Sequence, residues 1–199
     1  CCLLRNSDVC SFQSLLLVTE FSTQGYEHMA DSLLSLISEE ARIDGVSAGF
    51  EALLQRVADG IAADSVVPVP YMISGGITRM FRPADSPLSL IVLSDSRSGR
   101  DSVLTAMRGL AGYERKGRFD ILDLNLDQDT IVWRRSVRAD SASWTQGWAA
   151  GGISAQGIDR LGVPGLPYFV LVDSAGHTLW RGVSASEAVS RTIKLTDKQ

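Results

Sequence analysis

The sequence is poor in cysteine and histidine. Its three cysteines, Cys1, Cys2 and Cys10, all lie within the first ten residues, and its two histidines are His28 and His177. From residue 11 onward, this excludes an internal disulfide, a cysteine metal site and thiol chemistry. The serine- and aspartate-rich stretch 94–101 has no histidine nearby. A Ser–His hydrolase site is therefore not indicated.

The sequence also lacks a basic stripe and a long apolar run. The net charge is −4, and the densest basic group falls at helical spacing, as in a solvated helix face: Arg134, Arg135 and Arg138. We therefore expect no nucleic-acid partner. With 199 residues, the chain can bury a core without a metal, and we expect no metal and no cofactor. Because no run is long enough to span a bilayer, we expect membrane contact only through an N-terminal lipid.

The N-terminal cysteines suggest such a lipid. Cleavage of a signal peptide leaves the lipid-bearing cysteine of a bacterial lipoprotein at the mature N-terminus, and Cys1 or Cys2 could be that residue. This predicts a lipoprotein of the periplasm or outer membrane. The alternative is that the sequence simply begins there.

The chain divides into three predicted parts. Residues 1–11 are a tether, 12–87 a helical region and 88–199 an α/β domain. Apolar residues recur at helical spacing in two stretches of the helical region, 29–37 and 50–61. Tyr71 to Phe81 is a weaker third helix candidate, and turn residues cluster in 82–87.

From Leu88 onward the pattern predicts the order β-α-β-α-β-β-α. Leu88 to Leu93 is a nearly continuous apolar run, typical of a strand covered on both faces. Residues 118–126 alternate as a second strand, and Trp144 to Gly157 is predicted to be irregular. Tyr168–Val172 and Thr178–Trp180, joined by a turn, predict a hairpin. The order predicts a mixed central sheet with helices on its faces.

This order, with its residues, resembles the thioredoxin fold, and most closely the TlpA-like branch of thiol–disulfide oxidoreductases. Three pieces carry the resemblance: Leu90 to Asp95 with the polar loop after it, Ile121 to Trp133, and Leu161 to Gly176. The helical region resembles a domain of unknown function found before thioredoxin-like domains in bacterial lipoproteins. The N-terminal β-hairpin usual in the TlpA-like branch is expected to be absent, because Leu88 starts the first core strand at once.

The resemblance implies where a redox site would lie. The family places two cysteines, separated by two residues, at the start of the helix after the first core strand, beside a cis-proline. Here those four positions hold Ser98, Gly99, Arg100 and Asp101, and the proline bond is Leu166–Pro167. Serine and aspartate cannot carry out thiol–disulfide exchange. We therefore expect no activity in the family's reaction, no catalytic residues, and these six positions as a degenerate binding site.

Three hypotheses follow. The first is a redox-inactive binding or scaffold module of the cell envelope that takes an extended peptide or an envelope protein. The second is an enzyme of another class using the groove near Ser98, Asp101 and Pro167, or a residual oxidoreductase through Cys10. The third is a structural envelope protein. Three carboxylates near a strand end could bind a cation, although polar termination of the strand explains them too: Asp123, Asp127 and Asp129.

Overall fold

The computed structural model describes residues 68–97, 99–113 and 118–198. The strands are β1 (Val69–Met72), β2 (Thr78–Phe81), β3 (Leu88–Ser94), β4 (Asp120–Asn125), β5 (Thr145–Trp148), β6 (Tyr168–Asp173) and β7 (Thr178–Gly182). The helices are α1 (Arg100–Ala111), α2 (Thr130–Asp140) and α3 (Ala185–Thr196). Within these residues, every helix is too short or too polar to cross a membrane.

The strands form one mixed sheet in the order β2-β1-β5-β4-β3-β6-β7. β3, β4 and β5 are parallel, whereas β6, β7 and the β1–β2 pair join antiparallel. β3 is buried along its whole length, as its continuous apolar run predicts. The predicted α/β class and mixed sheet are confirmed.

Side chains of β3 alternate between two cores. Leu88, Leu90 and Val92 pack with the inner face of α1 and with Ala188 of α3. Ile91 and Leu93 face the other core, together with apolar residues of β1 and of the segment 149–163. Since neighbouring register partners point to the same face, Val92, Asp123 of β4 and Gln146 of β5 form one row under α1.

The β1–β2 hairpin contradicts two expectations. The helix predicted for Tyr71 to Phe81 is wrong, and the hairpin expected to be absent is present. Buried residues alternate with half-buried ones along β1, and Gly76 adopts a left-handed φ of 79° in the turn. The period of two was therefore present, but over only four residues. The predicted tether 1–11 and the helical pattern up to residue 67 lie outside the described residues.

β5 replaces part of the segment predicted to be irregular. Gly147 weakens the strand pattern in the sequence. In the structure, however, this position leaves no room for a larger side chain. A Cβ there would lie 2.5 Å from Cδ2 of Tyr71. The tyrosine ring thus fills the space over Gly147, and burial raises the pKa of Tyr71.

The predicted β6–β7 hairpin is confirmed. His177 lies exposed in its turn, and its Nδ1 is 3.1 Å from Oδ2 of Asp173. Slight burial of Asp173 opposes ionisation, but hydrogen bonds from His177 outweigh it and lower the pKa of Asp173. The contacts between Asp173 and His177 stabilise the turn. Both side chains therefore have a structural role that requires no ligand.

Candidate functional site

The described members of the predicted site, Gly99 to Asp101 and Leu166–Pro167, lie toward the same end of the sheet. Residues 95–97 follow the carboxyl end of β3, and Gly99 immediately precedes α1. Tyr168, the first residue of β6, pairs with Leu93 near that end. The peptide bond between Leu166 and Pro167, just before β6, is cis. Ser98 lies outside the described residues, so its side chain is not placed.

At the start of α1, the predicted site residues point in different directions. Gly99, the residue before the helix, has a left-handed φ of 63°, and its carbonyl accepts a 2.7 Å hydrogen bond from the Ser102 hydroxyl. Asp101 is exposed in the first turn, where a carboxylate interacts favourably with the helix dipole. Arg100 turns inward instead.

Arg100 is the centre of a largely buried ion cluster. Its side chain is 11% exposed, and Nη2 lies 2.8 Å from Oδ2 of Asp123 and 2.6 Å from Oδ2 of Asp140. Its Nη1 donates to Oδ1 of Asp123 at 2.9 Å and to the Ser94 hydroxyl at 2.8 Å. One guanidinium therefore ties the start of α1 to β3, β4 and the end of α2.

Neutral donors complete this Arg100 cluster. Nε2 of Gln146 donates to Asp140 at 2.8 Å and lies 3.4 Å from Asp123. The indole N–H of Trp144 also points to Asp123, at 3.4 Å. Burial alone would lower the pKa of Arg100, but the hydrogen bonds and charges of Asp123 and Asp140 raise it above its usual value. Arg100 therefore stays charged. Its planar guanidinium is oriented by charge-assisted hydrogen bonds to the two carboxylates.

A second polar group fixes the loop itself. The backbone N–H of Ser96 donates to both oxygens of Asp127, at 3.1 and 3.3 Å, and the Ser96 hydroxyl donates at 3.0 Å. The Asn125 side chain in turn donates to Asp127 at 2.9 Å. The loop before α1 is therefore anchored to the end of β4.

The three carboxylates suggested as a cation site do not come together as one. Asp123 belongs to the Arg100 cluster, and Asp127 binds the loop. Asp129 caps α2 by accepting the backbone N–H of Ile131 at 2.7 Å. In the described ranges, no group of three acidic, histidine or cysteine side chains is placed to bind a metal.

The segment before Pro167 has backbone groups that are not paired by other described backbone groups. Gly165, Leu166 and Pro167 are half-buried. Among the described residues, no backbone hydrogen bond joins residues 163–167 to the rest of the chain. Unpaired backbone groups at a sheet end can receive an extended peptide by β-pairing.

Sequence reasoning missed the partners of this site. Asp140 and Gln146 were not singled out, and Arg100 was taken only as part of the degenerate motif. A signal existed: Asp123 interrupts an apolar strand, and a buried carboxylate requires a partner. The partner's identity depends on how α1 and α2 lie over the sheet, which the sequence pattern does not specify.

Solved structures resemble this architecture. A C-terminal domain of a thiol-disulfide oxidoreductase from Bacteroides thetaiotaomicron matches 68% of the chain and 96% of its own, with a TM-score of 0.58 and 16% identity. The chain has a thioredoxin-like fold. A thiol-disulfide oxidoreductase from Bacteroides fragilis matches 66% of this chain and 98% of its own, with TM-score 0.56 and 21% identity. A thiol:disulfide interchange protein DsbE from Chlorobium tepidum matches 67% and 95%, with TM-score 0.56 and 22% identity.

Comparisons at the level of sequence identify no family for this chain. No family model matches the chain, and no curated protein resembles it. The thioredoxin-like resemblance is therefore a matter of architecture, and function has to be argued from the site.

Proposed function

We propose that this protein is a redox-inactive, thioredoxin-like binding module of the bacterial cell envelope that takes an extended peptide segment of a partner. The observation that carries the proposal is a thioredoxin-like fold whose sequence holds no cysteine after Cys10. The helix start where the resemblance implies a thiol pair holds Gly99, Arg100 and Asp101 in the described structure.

The site supports binding rather than exchange. Asp127 anchors Ser96 and Arg100 anchors the start of α1, so this part of the proposed binding surface is held in place before a ligand arrives. A preformed surface loses little conformational entropy on binding. The half-buried backbone of 165–167, which makes no backbone hydrogen bond to other described residues, would pair with the peptide. The exposed Asp101 would favour a segment without negative charge.

The envelope location rests on two further arguments. The matching structures from Bacteroides and Chlorobium carry names of bacterial thiol-disulfide proteins. Cys1 or Cys2 could carry a lipid and hold the module at the periplasmic side of a membrane. Metabolic labelling with an alkyne fatty acid in a bacterial host tests this, because label that survives in Cys1→Ser and Cys2→Ser variants would contradict a lipid at these residues.

The neighbours' names favour a second candidate, a residual oxidoreductase using Cys10. The insulin-disulfide reduction assay with dithiothreitol separates the two. We expect the rate to equal the buffer rate, because serine and aspartate cannot form a mixed disulfide. The matched control is the chain with all three cysteines changed to serine. Turnover that is present in the natural chain and lost in this control would replace the proposal with the oxidoreductase.

Peptide binding needs its own test. The probe is reduced, carboxymethylated insulin B chain, an extended peptide without free thiols, titrated into the ¹⁵N-labelled protein. We expect amide shifts at Gly165, Leu166 and Gly99, and none at Gly109, which lies near the far end of α1. Shifts spread evenly over the protein, or confined to other surfaces, would contradict a site beside Pro167.

A further inference from the structure

Helix α2 presents a cluster of arginines to solvent. Arg134, Arg135 and Arg138 are exposed, and we call these three residues the arginine face. Ile131, which lies three, four and seven positions before them and therefore on the same side of the helix, is 59% exposed. The outer surface of α2 thus combines three cations with one apolar side chain.

The arginine face has no ionic partner within the described residues. There, no carboxylate forms an ion pair with any of its three side chains. The helix dipole favours Arg138, which lies in the last turn of α2, but it does not favour Arg134 and Arg135 near the middle. Like charges on adjacent turns of a helix repel each other. This arrangement therefore favours an anionic segment on the arginine face.

The charge of the chain is divided unevenly along the sequence. Residues 1–67 contain ten acidic and three basic residues, which gives this N-terminal region a net charge of −7. Since the whole chain carries −4, residues 68–199 carry +3. The N-terminal region therefore has carboxylates in excess of its own cations, and its charge is complementary to that of the arginine face.

The N-terminal region joins the fold close to α2. It leads into β1, whose Met72 pairs with Trp148 of β5. The Trp148 ring in turn stacks on Trp133 of α2, with the ring centroids 6.2 Å apart. A segment attached at this point has a high effective concentration at the arginine face, so that weak, exposed ion pairs can hold it there. A free anion would have to compete with these tethered carboxylates.

We propose that the acidic N-terminal region, residues 1–67, docks on the arginine face of α2 within the same chain. Its carboxylates pair with the three guanidinium groups, and the docked region covers Ile131. This interface holds the N-terminal region against the thioredoxin-like fold. It does not depend on the peptide-binding proposal, which concerns the surface beside Pro167.

The test couples carboxylates to amines with a zero-length carbodiimide reagent in the 199-residue chain carrying Arg135→Lys. This substitution keeps the positive charge and places a reactive amine on the arginine face. Peptide mapping by mass spectrometry should show position 135 joined to aspartate or glutamate residues within 1–67, in the monomeric product. The matched control is Arg160→Lys, at an exposed arginine in a short 3₁₀ turn before β6. Position 160 should couple to the N-terminal region at least about threefold less, as the loss of exposed ion pairs predicts.

Removal of charge completes the experiment. In the chain with Arg135→Lys, adding Arg134→Gln and Arg138→Gln should lower the coupling at position 135 at least about threefold, because two of the three ion pairs are lost. Adding Lys194→Gln and Lys198→Gln instead removes the same charge at and beyond the end of α3, and should leave the coupling unchanged. Coupling chiefly to residues after 67, coupling between two copies, no coupling, or equal effects of the two charge removals would each overturn the proposal.

Discussion

Arg100→Met is expected to lower the free energy of unfolding by about 3–5 kcal/mol, the loss typical of a broken buried ion pair. The loss is large because the two carboxylates that bind Arg100 remain in the variant. Asp123 is 1% exposed and Asp140 is 6% exposed, so both carboxylates would stay buried without their cation. Methionine preserves most of the side-chain volume, which limits the effect of a cavity. Urea-induced unfolding followed by circular dichroism measures the change.

The matched control is Arg97→Met, which removes an exposed arginine from the segment just before α1. It should change the free energy of unfolding by no more than about 0.5 kcal/mol, as is usual for surface substitutions. Adding Asp123→Asn and Asp140→Asn to Arg100→Met should recover part of the loss, because the buried charges are then gone. A loss below about 1 kcal/mol for Arg100→Met, or strictly additive effects of the three substitutions, would contradict a coupled cluster.

Gly147→Ala is expected to destabilise the protein by about 1–3 kcal/mol, the usual cost of inserting a methyl group into a filled space. The added Cβ would lie 2.5 Å from Cδ2 of Tyr71 and 3.0 Å from Cδ2 of Leu124. Both side chains are buried, so the tyrosine ring has to move and the β1–β2 hairpin with it. Thermal unfolding by calorimetry, together with the ring resonances of Tyr71, measures both effects.

Gly109→Ala provides the control of opposite sign. Gly109 lies in the interior of α1, and a Cβ there would have no atom within 4 Å. Alanine should stabilise this helix by about 0.5–1 kcal/mol, because glycine loses more backbone entropy on folding. If Gly147→Ala were also neutral or stabilising, the packing of Tyr71 over β5 would be wrong.

The elements that could be predicted from the sequence are those whose apolar pattern runs long enough. β3 is a continuous apolar run, and β6 with β7 flanks a turn containing Gly176, whose φ is left-handed. β1, β2 and β5 have four residues each, and either glycine or proline interrupts or flanks them. Four residues are too few to distinguish a period of two from a period of 3.6.

The resemblance gave a location for a candidate site, but not the chemistry of the side chains there. The resemblance placed residues 98–101 and Leu166–Pro167 at one end of the sheet, and the described residues among them lie there. Arg100 points inward because it forms ion pairs with Asp123 and Asp140, which are far from it in sequence. Such tertiary pairing leaves no local pattern in the chain.

The attachment of the β1–β2 hairpin has a consequence for amide exchange. β1 pairs with β5 at one register position, Met72 with Trp148, whereas β3 and β4 pair at six. The hairpin is therefore held to the sheet mainly by its side chains, with Val69, Tyr71 and Phe81 in the core. Elements with few ladder hydrogen bonds open at lower free energy than the centre of a sheet. Protons on the backbone of this hairpin should accordingly be replaced by deuterium well before those of β3.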